Sequence, residues 1–273
     1  MKMIIEKTIE KITQIEDENK ITPPKVSKVV IGLGYTGVEL KFSDNTLQLG
    51  VAFTLPDFLL NKGCSKINFA GNLTEKKAQE LLNWAKNEAS LQKVIGIATL
   101  NAFSQYILQS KKAEYKFLHK DLIKYLDPNN DMKVTFIGLI EPMIRQISKI
   151  TKNILIIEKN LEFSQFFEKF KLLRSIDEIS QDDLDTDILI CTGTSIINDT
   201  LEKILDTFRK KANFIALIGP TASMIPEIFF DYGIDLIGGM TFKNSEATFR
   251  VLQEAGGTRF FKKYASKYNL VSG

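Results

Sequence analysis

Two segments in the second half of the chain share one pattern, in which an apolar run ends in small polar residues and then opens a helix. They are DILICTGTSIINDTLEKIL from Asp187 and NFIALIGPTASMIPEIFF from Asn213. A parallel strand that is buried on both faces reads as such an apolar run, and open α/β sheets bind ligands at the carboxyl ends of their strands. The two turns therefore predict where the functional surface lies.

The sequence after Pro128 alternates between short apolar strands and helical patterns. Five strands are indicated, in MKVTFIGL, NILIIEK, DILICTG, NFIALIG and DLIGGM. Alternation of this kind predicts a parallel sheet with right-handed crossovers. We predict an α/β fold in which residues 110–273 form a Rossmann-like, doubly wound parallel sheet, with a linker helix at 110–130.

Residues 1–109 have a different pattern. MIIEKTIEKITQI carries apolar residues at helical spacing, and SKVVIGLGYTGVELKF and NTLQLGVAF predict an antiparallel hairpin around SDN. Two helices follow, the first capped by Thr74 and the second, LQKVIGIATLNAFSQYIL, apolar on more of its surface. This order predicts a separate α+β domain over 1–109.

The string GLGYTG, Gly32 to Gly37, matches the GxGxxG fingerprint of dinucleotide-binding folds. That fingerprint leads directly into a helix whose N-terminus faces the pyrophosphate, whereas here VELKF and a hairpin turn follow. The glycines are better explained by a bulge, a twist or a close backbone approach within a strand.

Composition excludes several classes of function. The net charge of +3 comes from 36 basic and 33 acidic residues spread along the chain, without the basic and aromatic clustering of a nucleic-acid-binding surface. No stretch approaches the roughly 20 apolar residues of a membrane helix, and the N-terminus lacks the features of a signal peptide. We expect a cytoplasmic protein that binds neither nucleic acid nor membrane.

The supply of soft metal ligands is small. His119 is the single histidine, and the two cysteines, Cys64 and Cys191, form no CxxC pair. Cys191 ends an apolar strand, where it is either a small buried hydrophobe or a reactive thiol beside the ligand site. We predict no protein-built metal site, and the sequence assigns no cofactor.

Small and polar residues at the predicted strand ends are the candidates for ligand binding. Glycines there permit close approach to the backbone, hydroxyls donate hydrogen bonds, and exposed N–H groups of a helix from Ile197 favour an anion. A proline stiffens the second turn, and a pair of glycines follows the last strand. The candidates are Gly138, Thr192, Gly193, Thr194, Ser195, Asn198, Gly219, Pro220, Thr221 and Gly239.

Three residues near these strand ends have structural alternatives. Asn198 and Asp199 are equally suited to the first turn of a helix, where they would complement its dipole. Glu158 ends the second parallel strand, where related folds place an acid that accepts hydrogen bonds from ligand hydroxyls. The alternative for Glu158 is an ordinary surface carboxylate.

The strings CTGTSIINDTLEKIL and GPTASMIPEIFFDYGIDLIGG, with IGIATLNAFS at 95–104 and IIEKN at 156–160, resemble the putative heavy-metal chelation family. Its members are prokaryotic proteins that pair an enolase N-terminal-like domain with a Rossmann-like domain, and the resemblance covers most of the chain. It implies a site between the two domains, to which Asn101 would contribute from the first. We therefore expect the turns near Gly193 and Gly219 to come together at one edge of the sheet and to face Asn101 across a gap. It also implies that Asn160 binds ligand, although Leu161 stands where the family commonly has proline.

The resemblance implies a role in making or processing a metal-chelating, pterin-like or flavin-like compound. Our leading hypothesis is an enzyme for condensation, hydrolysis or group transfer on a polar, anionic small molecule, with Glu158 orienting hydroxyls or acting as acid-base and Asn101 polarising a carbonyl. For Asn101 the alternative is that its amide ties a helix to neighbouring backbone. The competing hypotheses are a non-catalytic carrier of a metabolite or metal chelate, and a methyltransferase-like enzyme that uses S-adenosylmethionine.

Two further expectations concern assembly and Gly193. The exposed hairpin edge favours a homodimer. A bulky side chain at Gly193 is expected to remove ligand binding with little change in melting temperature.

Overall fold

The computed structural model of the chain describes residues 3–58, 68, 70–159 and 165–272. The first part contains one long N-terminal helix, three strands and two further helices. These are α1 (Met3–Glu18), β1 (Lys25–Ile31), β2 (Tyr35–Lys41), β3 (Leu47–Phe53), α2 (Ala78–Asn83) and α3 (Leu91–Ser110).

Strands and short helices alternate in the second part. They are α4 (Leu122–Leu126), β4 (Val134–Ile137), α5 (Glu141–Ile147), β5 (Ile154–Ile157), β6 (Lys171–Leu173), α6 (Gln181–Leu184), β7 (Thr186–Thr192), α7 (Thr194–Ile197), α8 (Leu201–Phe208), β8 (Ala212–Ile218), α9 (Glu227–Asp231), β9 (Leu236–Phe242), α10 (Ser245–Gln253), α11 (Thr258–Phe261) and β10 (Ala265–Val271).

The strands form two sheets. β1, β2 and β3 pair antiparallel in that order. The larger sheet has the order β10-β9-β8-β7-β4-β5-β6, parallel except for the antiparallel edge strand β10. The predicted mixed α/β fold is confirmed. The chain reverses direction across the sheet at β4, which has β5 on one side and β7 on the other, so ligands are expected between β4 and β7 at their carboxyl ends.

Several local predictions were wrong. The chain before SDN forms two strands instead of one, because Gly32 to Gly34 turn between β1 and β2. Thr74 lies in a 3-10 turn, and α2 starts after Lys77. The segment 110–130 holds only the short α4 and a 3-10 turn. The short β6 and the edge strand β10 were not predicted.

The GLGYTG glycines serve packing. A methyl group built on Gly37 would lie 2.7 Å from Leu252 Cδ1, and one on Gly32 would collide with the Leu252 carbonyl oxygen. The hairpin therefore presses directly on α10, and no helix follows the motif. This arrangement agrees with the interpretation of the glycines as sites of close approach.

α3 is the most buried helix of the first part. It is apolar on all sides, and its buried residues face both sheets. One continuous hydrophobic cluster contains side chains of α1, the three-stranded sheet, α3, α7, α8 and one face of the larger sheet. The other face of the larger sheet packs on α5 in a second cluster. The first part of the chain thus shares its core with one side of the parallel sheet.

Among the residues that the structure describes, no helix combines the length and apolar character that crossing a membrane requires.

Glu16 on α1 makes stability depend on pH. Its side chain is 7 % exposed and accepts a hydrogen bond from Gln79 at 3.4 Å. Burial raises the pKa of this carboxyl from 4.5 to about 7, with a smaller opposing effect of the Gln79 hydrogen bond. Because the folded state holds this proton more tightly than the unfolded chain, stability falls as pH rises from about 4.5 through 7.

We therefore expect Glu16→Gln to leave stability unchanged near pH 4 and to raise it by about 1–2 kcal/mol near pH 8, after allowance for solvent screening. Urea unfolding of both proteins at the two pH values measures the difference in their free energies of unfolding. Glu10→Gln, on an exposed position of the same helix, is the control with no such effect. Equal stability of Glu16→Gln and wild type at both pH values would contradict the assignment.

Candidate functional site

Three neighbouring strands end together at the carboxyl side of the larger sheet. Glu158 follows β5, and its Oε2 accepts a hydrogen bond from the Leu139 backbone N–H after β4 at 3.1 Å. Gly138 is next to Thr192, the last residue of β7. Glu158, Gly138 and Thr192 therefore form one contiguous edge at the β4–β7 reversal, which we call the strand-end rim.

Gly138 is required by its backbone and by its neighbour. Its φ of +91° lies in the left-handed region, and a methyl group there would lie 2.6 Å from Thr192 Cγ2. Its proximity to Thr192 lets the backbone after β4 turn close to the end of β7.

The hydroxyls of Thr192 and Thr194 lie at the rim. Both residues are half-buried, and their Oγ1 atoms are 3.3 Å apart. Ser195 differs, since it is 1 % exposed and its Oγ donates to the Thr192 carbonyl at 2.8 Å. The rim thus offers the two threonine hydroxyls and the Glu158 carboxylate, whereas Ser195 is turned inward.

The two small-residue turns contact each other directly. The Gly193 N–H donates to Ile218 O at 2.8 Å, and the Gly219 N–H donates to Gly238 O at 2.9 Å. A methyl group on Gly193 would lie 2.8 Å from the Ala222 backbone nitrogen. The predicted meeting of the turns is present, but Gly193 is filled on its side-chain face by protein. The expectation that a bulky residue there spares stability is therefore wrong.

Asn101 joins α3 to strand β3 and to the turn that follows β8. Its Nδ2 donates to Val51 O at 2.8 Å, to Thr221 O at 3.0 Å and to Pro220 O at 3.4 Å. The residue is completely buried, and its Oδ1 has no hydrogen-bond partner. The gap expected between Asn101 and the turns is absent, because the amide contacts the turn itself. This placement corresponds to the structural alternative for Asn101.

Pro220 and Thr221 face the first part of the chain instead of a ligand. Both are buried, and Thr221 Oγ1 accepts a hydrogen bond from the Phe53 N–H at 3.0 Å. Gly219, with φ of +131°, stays half-buried beside Gly193. These contacts therefore fix the turn after β8 against α3 and β3.

Two other predicted positions differ from expectation, and a third cannot be compared. No helix starts at Ile197, since α7 ends there and α8 begins at Leu201, which leaves Asn198 exposed between them. Gly239 lies inside β9, opposite Tyr268, and not in a turn after the strand. A side chain on Gly239 would collide with the Tyr268 hydroxyl. Asn160 lies outside the described residues.

One buried charge was missed. Lys93 is the sole charged residue in the 20 residues of α3, and its ammonium pairs with Asp199 across the boundary between the two parts. A lysine within a long apolar helix was the available signal, because burying an ammonium is costly unless it is paired.

The sequence matches the family described as putative heavy-metal chelation over residues 121–271, and a second family model with the same description over residues 16–104. The chain belongs to this family. An uncharacterized protein of Methanocaldococcus jannaschii is 29 % identical over 98 % of both chains. Two crystal structures of family members of unknown function are similar in fold. One, from Pyrococcus horikoshii, has a TM-score of 0.75 at 22 % identity and covers 99 % of this chain and 100 % of its own. The other, from Desulfitobacterium hafniense, has a TM-score of 0.72 at 18 % identity with 96 % and 100 % covered.

Cys191 and His119 are the soft metal-binding residue types among the described residues of this family member. Within the described ranges no group of three or more histidine, cysteine, aspartate or glutamate side chains could hold a metal ion. Burial raises the pKa of the Cys191 thiol to about 12, which keeps it protonated. His119 is exposed.

We expect Gly193→Ala to lower the free energy of unfolding by about 1–3 kcal/mol, because the new methyl group overpacks the contact with Ala222. Chemical denaturation measures the change. Gly34→Ala is the control, since its methyl group would lie 3.7 Å from the nearest atom, an ordinary contact. Unchanged stability of Gly193→Ala would show that the turns are looser than described.

Asn101→Asp replaces a donor by an acceptor that faces the carbonyl oxygens of Val51 and Thr221. We expect a loss of about 3 kcal/mol or more, because those carbonyls lose their partner and a carboxyl is buried beside them. Asn83→Asp is the control, since the Asn83 amide also donates to a carbonyl, that of Gln79, but is exposed. If the two substitutions lowered the free energy of unfolding equally, the Asn101 hydrogen bonds to Val51 and Thr221 would not be stabilising the structure as described.

Proposed function

We propose that the protein is an enzyme that binds a polar, anionic small molecule at the strand-end rim and catalyses a condensation or hydrolysis in the synthesis of a metal-chelating, pterin-like or flavin-like compound. The observation that carries the proposal is the carboxylate of Glu158, which the Leu139 N–H holds beside Gly138 and Thr192 at the β4–β7 reversal. Reversal points of parallel sheets are preferred sites of ligand binding.

The rim supplies a defined set of hydrogen-bonding groups. In the proposed site, Glu158 accepts hydrogen bonds from ligand hydroxyls and can exchange a proton with them. Thr192 and Thr194 supply hydroxyls that donate to the anionic part. Asn101 is a positioning residue, because it reaches the rim only through the Pro220–Thr221 turn.

A second candidate is an enzyme that uses a nucleoside cofactor such as S-adenosylmethionine. An acid at the end of the second parallel strand accepts hydrogen bonds from ribose hydroxyls in nucleotide-binding sheets, about 20 residues after a glycine of the first turn. Glu158 stands at that place relative to Gly138. Calorimetric titration with S-adenosylmethionine tests the use of this cofactor. Absence of binding at millimolar concentration would rule it out.

The leading proposal is tested by thermal-shift screening with pterins, flavins, sugar phosphates and nucleotides, followed by affinity measurement on variants. We expect Glu158→Gln and Thr192→Val each to weaken binding about tenfold or more, the cost of about 1.4 kcal/mol or more for a lost hydrogen bond at a charged or buried group. Glu168→Gln and Thr13→Val, at exposed positions away from the rim, should bind as wild type does.

Mass spectrometry of the ligand then separates an enzyme from a carrier. Conversion of many ligand molecules per protein molecule supports the enzyme, whereas tight binding without conversion supports the non-catalytic carrier. Wild-type affinity in both rim variants would refute the proposed site.

A further inference from the structure

A second cleft opens away from the strand-end rim. It has a volume of about 700 Å³ and lies between α1, the start of α3, and α7 with α8. Volumes of this size are typical of small-molecule sites. Its walls combine apolar, polar and ionisable side chains, among them Ile5, Lys93, Ser195, Asp199, Leu205 and Tyr232. Neither Glu158 nor Thr192 lines it, so the cleft is a different surface from the rim.

Lys93 is the buried charge of this cleft. Its side chain is 2 % exposed and pairs with Asp199, whose side chain is 28 % exposed. Replacing such a pair by apolar residues commonly leaves stability unchanged or raises it, so a buried pair is weak evidence for a role in stability alone. Buried lysines in clefts are frequent catalytic groups, because burial and neighbouring charges change how readily the ammonium loses its proton.

Asp199 is held in an unusual backbone conformation. Its φ of +59° lies in the left-handed region. The residue lies in the short connection between α7 and α8. Non-glycine residues in this region are uncommon, and they cluster at functional sites. The conformation directs the Asp199 carboxylate at an ammonium that comes from the other part of the chain.

We propose that Lys93 is an imine-forming lysine and that the cleft binds a small aldehyde or ketone. Asp199 takes a proton from the ammonium, and the nitrogen lone pair attacks the carbonyl carbon. A C–N bond forms, the carbonyl C–O bond breaks, and the oxygen leaves as water. Overall, an ammonium and a carbonyl give a protonated imine and water, with no oxidant or reductant.

The surroundings suit this chemistry. Ile5 is 7 % exposed and Leu205 is 2 % exposed, and both line the cleft. An apolar wall limits the water that would hydrolyse the imine. Asp199 is placed to return the proton when water leaves the intermediate.

Reductive trapping tests the proposal. The full chain is incubated near neutral pH with glycolaldehyde or dihydroxyacetone and cyanoborohydride, and labelled lysines are located by peptide mass spectrometry. We expect Lys93 to be labelled at least tenfold faster than Lys203, which lines the same cleft with a 53 % exposed side chain. A purely structural ion pair predicts the opposite order, since Lys93 is shielded and charged.

Variants make the result specific. Lys93→Arg keeps the charge but cannot form an imine, so its peptide should carry no adduct, whereas Lys203→Arg should retain the Lys93 adduct. Should Lys93→Arg fail to fold, the ratio of labelling at Lys93 and Lys203 in the wild-type chain decides alone. Labelling of Lys203 with none at Lys93 would overturn the proposal. The proposed ligand site at the strand-end rim would not be affected by that result.

Discussion

The packing of α3 between the two sheets is the constraint on which the rest of the structure depends. A side chain on Gly50 of β3 would collide with the backbone of α3 at Ala98 and Ala102, so the strand lies directly on the helix. The Asn101 amide of the same helix also reaches the Pro220–Thr221 turn after β8. Close packing makes such contacts nearly incompressible, and this fixes the distance between the sheets.

This constraint also determines where the boundary between the two parts is closed. The junction around Asn101 is filled by protein, so the boundary between the two parts is closed at its centre. A cleft is open at the α1–α8 side, around Lys93. The half-buried Glu158 and Thr192 lie elsewhere, at the carboxyl edge of the sheet. The α3 packing thus places the proposed ligand site at the rim and the proposed imine-forming lysine on separate surfaces.

The sequence predicted what local patterns determine. Long apolar runs identified the central strands, and the small residues after them identified two turns that do meet. The pattern could not show which partner fills the space beside a turn. Asn101 in an apolar helix looks the same whether it contacts a ligand or a carbonyl, and Gly193 looks the same whether its space is filled by a ligand or by Ala222. β6, with three residues, is too short to have a period, and no strand was predicted for the segment that forms β10.

The central claim is that α3 joins both parts into one cooperative unit. Trp84, the single tryptophan, packs against the shared core beside α3 and reports on the first part, whereas far-UV circular dichroism reports on the whole chain. Urea unfolding followed by both signals should give one coincident transition, as a shared core requires. A tryptophan transition separated from the dichroism transition would contradict the claim.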